Sequence, residues 1–84
     1  MSPVNNPPLW LTRHIKETLK DDMAGIMSQY ADAAHEAGLK FGSRGRRLRK
    51  RGVNILASYC EAMRAKAFQL ERRYRAKSQE YKSN

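Results

Sequence analysis

From Leu11 onward, apolar residues recur at helical intervals: Leu11, Ile15, Leu19, Met23, Ile26, Tyr30, Ala33 and Ala37, in steps of three and four. That spacing keeps one face apolar at 3.6 residues per turn and predicts a helix over about 9–37. Pro8 suits the first helical position, where its missing N–H is no loss, and residues 1–8 read as an extended arm. Gly25 is the weak point, since glycine inside a helix costs about 1 kcal/mol relative to alanine. A break there would make two helices of the first and three in all. Further on, Leu56, Met63 and Leu70 stand seven apart, as do Cys60, Ala67, Tyr74 and Tyr81. This predicts a second helix over about 46–79, followed by a frayed tail at 80–84. Gly38, Gly42 and Gly45 predict a loop over about 38–45, with Gly38 as the left-handed cap of the first helix.

The fold class read from this pattern is all-α, an antiparallel hairpin of two long helices forming a single domain over 9–79. Sustained period-two alternation is absent, so strands are not expected. The seam of the first helix is expected at Leu19, Ile26 and Ala33 with Met23, Tyr30 and Ala37, facing the two heptad series of the second. Two helices cover little apolar surface. The pattern therefore also predicts self-association or docking on a larger protein partner.

Charge changes the picture. The chain has 84 residues with 17 Lys and Arg against 8 Asp and Glu, a net charge of +9. Residues 1–42 carry four bases and five acids, for −1; residues 43–84 carry thirteen bases and three acids, for +10. Six of the eight residues from Arg44 to Arg51 are cations. Such asymmetry points to an anionic partner, most often nucleic acid. The length excludes the large enzyme scaffolds, and the lone Cys60 excludes an intramolecular disulfide. No apolar run approaches the ~18 residues of a membrane span, so no membrane partner is expected. Residues 1–8 lack the basic and apolar regions of a secretory signal. A cytoplasmic, nucleic-acid-associated location is therefore the expectation.

The candidate nucleic-acid contacts are Arg44, Arg46, Arg47, Arg49, Lys50 and Arg51, extended along the second helix by Arg64, Arg72, Arg73 and Arg75. At the start of a helix, as the predicted boundaries put it, the arginine run opposes the positive N-terminal end of the helix dipole. Arg46/Lys50 and Arg47/Arg51 add like-charge pairs four residues apart. The run is thus expected to be frayed until a phosphate relieves both penalties. Arginine suits bidentate phosphate and guanine contacts better than lysine, and arginine-rich segments that fold on RNA have this composition. RNA and DNA both remain open.

Phe68 has Arg64 and Arg72 one turn away on either side. It reads either as a base-stacking or partner anchor, or as packed on the other helix beneath arginine stems. Trp10 reads as packing the N-terminal arm onto the hairpin, with a partner anchor as the other reading. His14, Glu17 and Asp21, and likewise Asp32, His35 and Glu36, flank the seam rather than occupy it. Solvated pairs and no metal are expected there. Cys60 lies on the seam and reads as a small buried hydrophobe. The glycine-rich segment lacks the Gly-Lys-Ser/Thr ending of a nucleotide loop. With no catalytic constellation and no cofactor motif, the expectation is a non-enzymatic, nucleic-acid-binding accessory or regulatory protein. Its small basic frame is of the kind phage and plasmid regulators have. The alternative is a protein-interaction module that sets its arginines on an acidic or nucleic-acid-binding surface.

Overall fold

The computed structural model describes residues 8–83; the expected arm at 1–7 and the last residue, Asn84, lie outside them. Two helices, α1 (Leu9–Lys50) and α2 (Asn54–Ser83), pack against each other as a helical hairpin. No strand occurs among the described residues. The hairpin is long and flat, with extents of 70 × 31 × 12 Å. Its radius of gyration is 20.5 Å, against about 12 Å for a compact domain of this length.

α1 is one helix of 42 residues. It does not break at Gly25, where an added Cβ would meet nothing within 4 Å. Nor does it stop at Gly38. The loop expected over 38–45, and the helix start expected at 46, are corrected: the chain stays helical to Lys50. The reason is packing. Gly38, Gly42 and Gly45 are buried against α2. A Cβ at Gly38 would run into the Phe68 ring. One at Gly42 would come within 2.9 Å of Cδ of Arg64, and one at Gly45 within 3.3 Å of Cβ of Cys60. These glycines provide room for a neighbouring helix, which is the other use of a missing side chain.

The turn comes at Arg51–Val53 instead. Gly52 has φ of 79°, the left-handed region where glycine carries no Cβ penalty. The Val53 N–H donates to the Leu48 carbonyl at 2.9 Å and the Gly52 N–H to that of Arg49 at 3.0 Å. Together these form a Schellman cap that satisfies two of the end carbonyls. The Ala57 N–H donating to the Val53 carbonyl at 3.1 Å opens α2. At the far end, α2 runs past the expected boundary at 79 to Ser83, whose hydroxyl donates to the Gln79 carbonyl at 2.6 Å. The expected frayed tail is thus helical as far as Ser83.

The seam is also rotated from the one expected. On α1 the buried line is Ala24, Ala31, Gly38 and Gly45, seven apart, together with Gly42. On α2 it is Ala57, Cys60, Ala67 and Ser78. Cys60 and Ala67 belong to the expected series on α2. Leu19, Ile26, Tyr30 and Ala33 of the expected α1 seam are exposed. Small side chains let the two backbones approach closely, and no large side chain is fully buried among the described residues. The Ser78 hydroxyl donates to the Ala24 carbonyl at 2.9 Å and sets the register near the open end. With only five residues of α2 after Ser78, the first turns of α1 run on beyond it. Trp10 stands there, 71% exposed; the arm it was expected to hold lies outside the described residues.

Candidate functional site

The seven-residue line of α1 divides the hairpin into two faces. To one side lie positions one and four residues after each seam residue: Asp32, His35, Arg46 and Arg49. Asp32, His35 and Arg49 pair with charged groups of α2. The imidazole Nδ1–H of His35 donates to Oε1 of Glu71 at 3.0 Å, because an ionised carboxylate can only accept. Arg75 donates from Nε to Oε2 of Glu71 at 3.0 Å and from Nη2 to Oδ1 of Asp32 at 3.2 Å. Arg49 donates to Oε1 of Glu61 at 2.9 Å and to the Ser58 hydroxyl at 3.4 Å. The hydrogen bond from His35, with a smaller contribution from Arg75, holds the Glu71 carboxyl below its ordinary range against the opposing effect of desolvation. Glu71, then Asp32, raises Arg75.

Phe68 is on this face too. Its ring lies over Gly38, under the Arg64 guanidinium at 5.0 Å, and 5.8 Å from the His35 ring. Of the two readings of Phe68, the geometry is that of a packed ring beneath an arginine stem. Asp32 and His35 are drawn to α2 rather than to Glu36. Among the described residues no three His, Cys, Asp or Glu side chains are grouped so as to hold a metal ion. Cys60 is buried and unpaired.

The arginine run sits on the last turns of α1, and this corrects its expected place at a helix N-terminus. Carbonyls at a helix C-terminus favour cations, and Arg47, Arg49 and Lys50 occupy that last turn. The run is therefore helical without a polyanion, contrary to the expected fraying. Arg49 is neutralised by Glu61. Arg44, Arg46, Arg47, Lys50 and Arg51 are exposed, and no ion pair joins any of them to an acid among the described residues. Arg44, Arg47 and Arg51 ring Leu48 in a shallow depression. Arg46 comes close to the Arg64 stem over Gly42.

Of the other proposed contacts, Arg64 adjoins this cluster through Arg46, and Arg72, Arg73 and Arg75 do not. Arg75 is engaged with Glu71 and Asp32, and the Arg64 guanidinium lies over Phe68. Arg72 and Arg73 are exposed but lie roughly 27 Å along α2 from its start, at 1.5 Å per residue.

The second face lies on the opposite side of the seam. Here Met23, Ile26, Met27, Tyr30 and Phe41 of α1 run beside Leu56, Tyr59, Met63, Leu70 and Tyr74 of α2. Tyr30 and Tyr74 meet edge to face at 5.5 Å, and Tyr81 joins Leu19 and Met23 near the open end. Much of this surface is uncovered: Leu19 is 54% exposed, Tyr30 51% and Leu56 53%. Its charges are of one sign. Lys16, Lys20, Lys40, Arg44 and Arg47 come from α1 and Lys66, Arg73 and Lys77 from α2. The one acid at these positions, Glu80, pairs with Lys77 at 3.4 Å. Sequence reasoning found this apolar stripe but took it for the seam.

No protein family matches the chain. Neither a curated protein nor a solved structure matches it. No helix among the described residues is long and apolar enough to cross a membrane. Any functional reading therefore rests on the geometry of the two faces and of the basic turn.

Proposed function

We propose that this protein is a small, non-enzymatic nucleic-acid-binding accessory protein that grips phosphates with Arg44, Arg46, Arg47, Lys50 and Arg51. The observation that carries the reading is five exposed cations within about two helical turns, none of them in an ion pair among the described residues. A rigid helix end projects these side chains around its whole circumference, which suits a curved phosphate backbone more than one flat contact. Arg49 is a poorer contact, because Glu61 competes for it. Arg72 and Arg73 are auxiliary contacts on a long nucleic acid.

The test is a fluorescence titration of nuclease-treated protein with short single- and double-stranded RNA and DNA at several salt concentrations. Five neutralised phosphates give a slope of log K against log salt on the order of −4.5 on duplex DNA. Replacing Arg46, Arg47, Lys50 and Arg51 with Gln is expected to remove binding and leave the helical circular dichroism signal in place. Affinity retained in that variant overturns the assignment. The second reading, in which the same arginines dock on an acidic protein surface, draws on the uncovered apolar face beside Arg44 and Arg47. A flat salt response with every nucleic acid would favour it.

A further inference from the structure

We infer that the apolar face between α1 and α2 is a docking surface for an acidic amphipathic helix of a partner protein. The inference does not rest on the nucleic-acid reading: of the five cations in that reading, Arg44 and Arg47 border this face, while Arg46, Lys50 and Arg51 lie off it. Ile26, Tyr30 and Leu56 gain nothing from a phosphate. Burying a side chain such as Leu or Ile is worth about 1.5–3 kcal/mol, and the hairpin leaves much of that unrealised.

Charge selects the occupant. Lys16 and Lys40 flank the stripe on α1, Lys66 and Arg73 flank it on α2, and none of them is ion-paired among the described residues. A second copy would bring the same stripe bordered by the same cations, so two copies would set like charges against each other across the contact. An amphipathic helix with acids on both sides of its apolar line meets hydrophobic surface with hydrophobic surface and lysine with carboxylate. The relief of the face favours a helix over a bilayer. Ala33, Ala34 and Ala37 are short side chains between Tyr30 and Phe41. They leave recesses for the protruding side chains of a partner helix, whereas an interfacial membrane helix presents an unbroken bulky apolar face.

The probe is a fluorescent synthetic helix of about 20 residues, roughly 30 Å long, with a leucine stripe flanked by glutamates. Its control has the same composition in scrambled order. The full chain is expected to bind the amphipathic peptide about tenfold or more tightly than the scrambled one. That preference is expected to disappear in Leu19→Ser with Ile26→Ser, two exposed positions off the Ala/Gly seam. It is also expected to disappear in Lys40→Glu with Lys66→Glu, which removes no apolar surface. The serine variant is expected to keep nucleic-acid affinity, while Arg46→Gln with Lys50→Gln is expected to lower that affinity and keep the peptide. The two readings therefore fail separately.

Equal binding of both peptides overturns the inference. So does a purified protein that light scattering shows to be a dimer and that Ile26→Ser converts to monomer, since a second copy would then be the occupant. Phosphatidylglycerol vesicles that bind the chain in preference to the peptide, with loss in Leu19→Ser and Ile26→Ser, overturn it in favour of a membrane surface.

Discussion

The two faces of the hairpin are built from the same pair of helices and separated by one line of small residues, yet they treat charge in opposite ways. On the face of Asp32, His35, Glu71 and Arg75, every charge of the central cluster has a partner on the other helix. On the opposite face the cations stand around an apolar stripe, with one acid at the end of α2. The first face spends its polar groups on holding α1 and α2 in register. The second is left complementary to something outside the molecule. Net charge alone does not reveal this, because +9 says nothing of which side carries it. What identifies a surface meant for a partner is the coincidence of unpaired charge and uncovered apolar area.

The largest expected effect comes from the line on which both faces depend. Gly45→Leu forces a branched side chain to where a Cβ already lies 3.3 Å from Cys60 and 3.5 Å from the Ala57 carbonyl oxygen. Overpacking of this kind typically costs 1–3 kcal/mol, and with backbone in the way about 3 kcal/mol is expected. Thermal melts followed by circular dichroism measure it. An unchanged melt would mean that the helices do not approach as described and that the division into two faces is unsound.

Next come two glycines with opposite signs. Gly52→Ala is expected to destabilise by about 1–2 kcal/mol, because its φ of 79° places a Cβ in the left-handed region. Gly25→Ala is expected to stabilise by about 1 kcal/mol, since its helical backbone is open to solvent and meets nothing. Chemical denaturation of the two variants side by side reads both. Were the signs reversed, the turn would lie elsewhere than at Arg51–Val53.

The smallest effect sharpens the contrast between the faces themselves. Glu71 is held below the ordinary glutamate value of 4.5 by His35 and then Arg75. A lowered folded-state pKa contributes stability that is fully present above 4.5 and lost as pH falls through the lowered value. Melts between pH 6 and 3 are expected to show a small acid-induced loss in the parent that Glu71→Gln lacks. Exposed ion pairs contribute little, so the difference is in slope more than in midpoint.

Much of the fold was legible in the residues. The steps of three and four from Leu11 to Ala37 specify a helix wherever they occur, and the heptads from Leu56 to Tyr81 specify another. Gly25, read as the point where the first helix could break, lies inside a single unbroken helix. The charge run from Arg44 to Arg51 was visible as composition, and Cys60 and Ala67 were visible as seam residues. Three things were misplaced: the loop, the end of the helix that carries the arginines, and the face of α1 that meets α2. One cause underlies them all. A glycine in sequence reads equally as a left-handed cap and as space for a neighbour, and Gly38, Gly42 and Gly45 look like the former because they cluster. Gly52, the actual cap, stands alone after a run of cations. Likewise Leu19 and Ile26 are larger and more apolar than Ala24 and Ala31, so burial by transfer energy alone favours the wrong stripe.

The sequence by itself determined that this chain is two long helices with its positive charge in the second half, because periodicity and charge are local properties of the chain. The tertiary structure decided that the arginines crown a helix C-terminus, that Phe68 packs against α1 and Arg75 pairs with Asp32 and Glu71, and that Leu19, Ile26 and Tyr30 face outward. Those outcomes depend on how closely two backbones can approach. That distance is set by the smallest side chains on both helices at once, a pairing that exists only when α2 lies against α1.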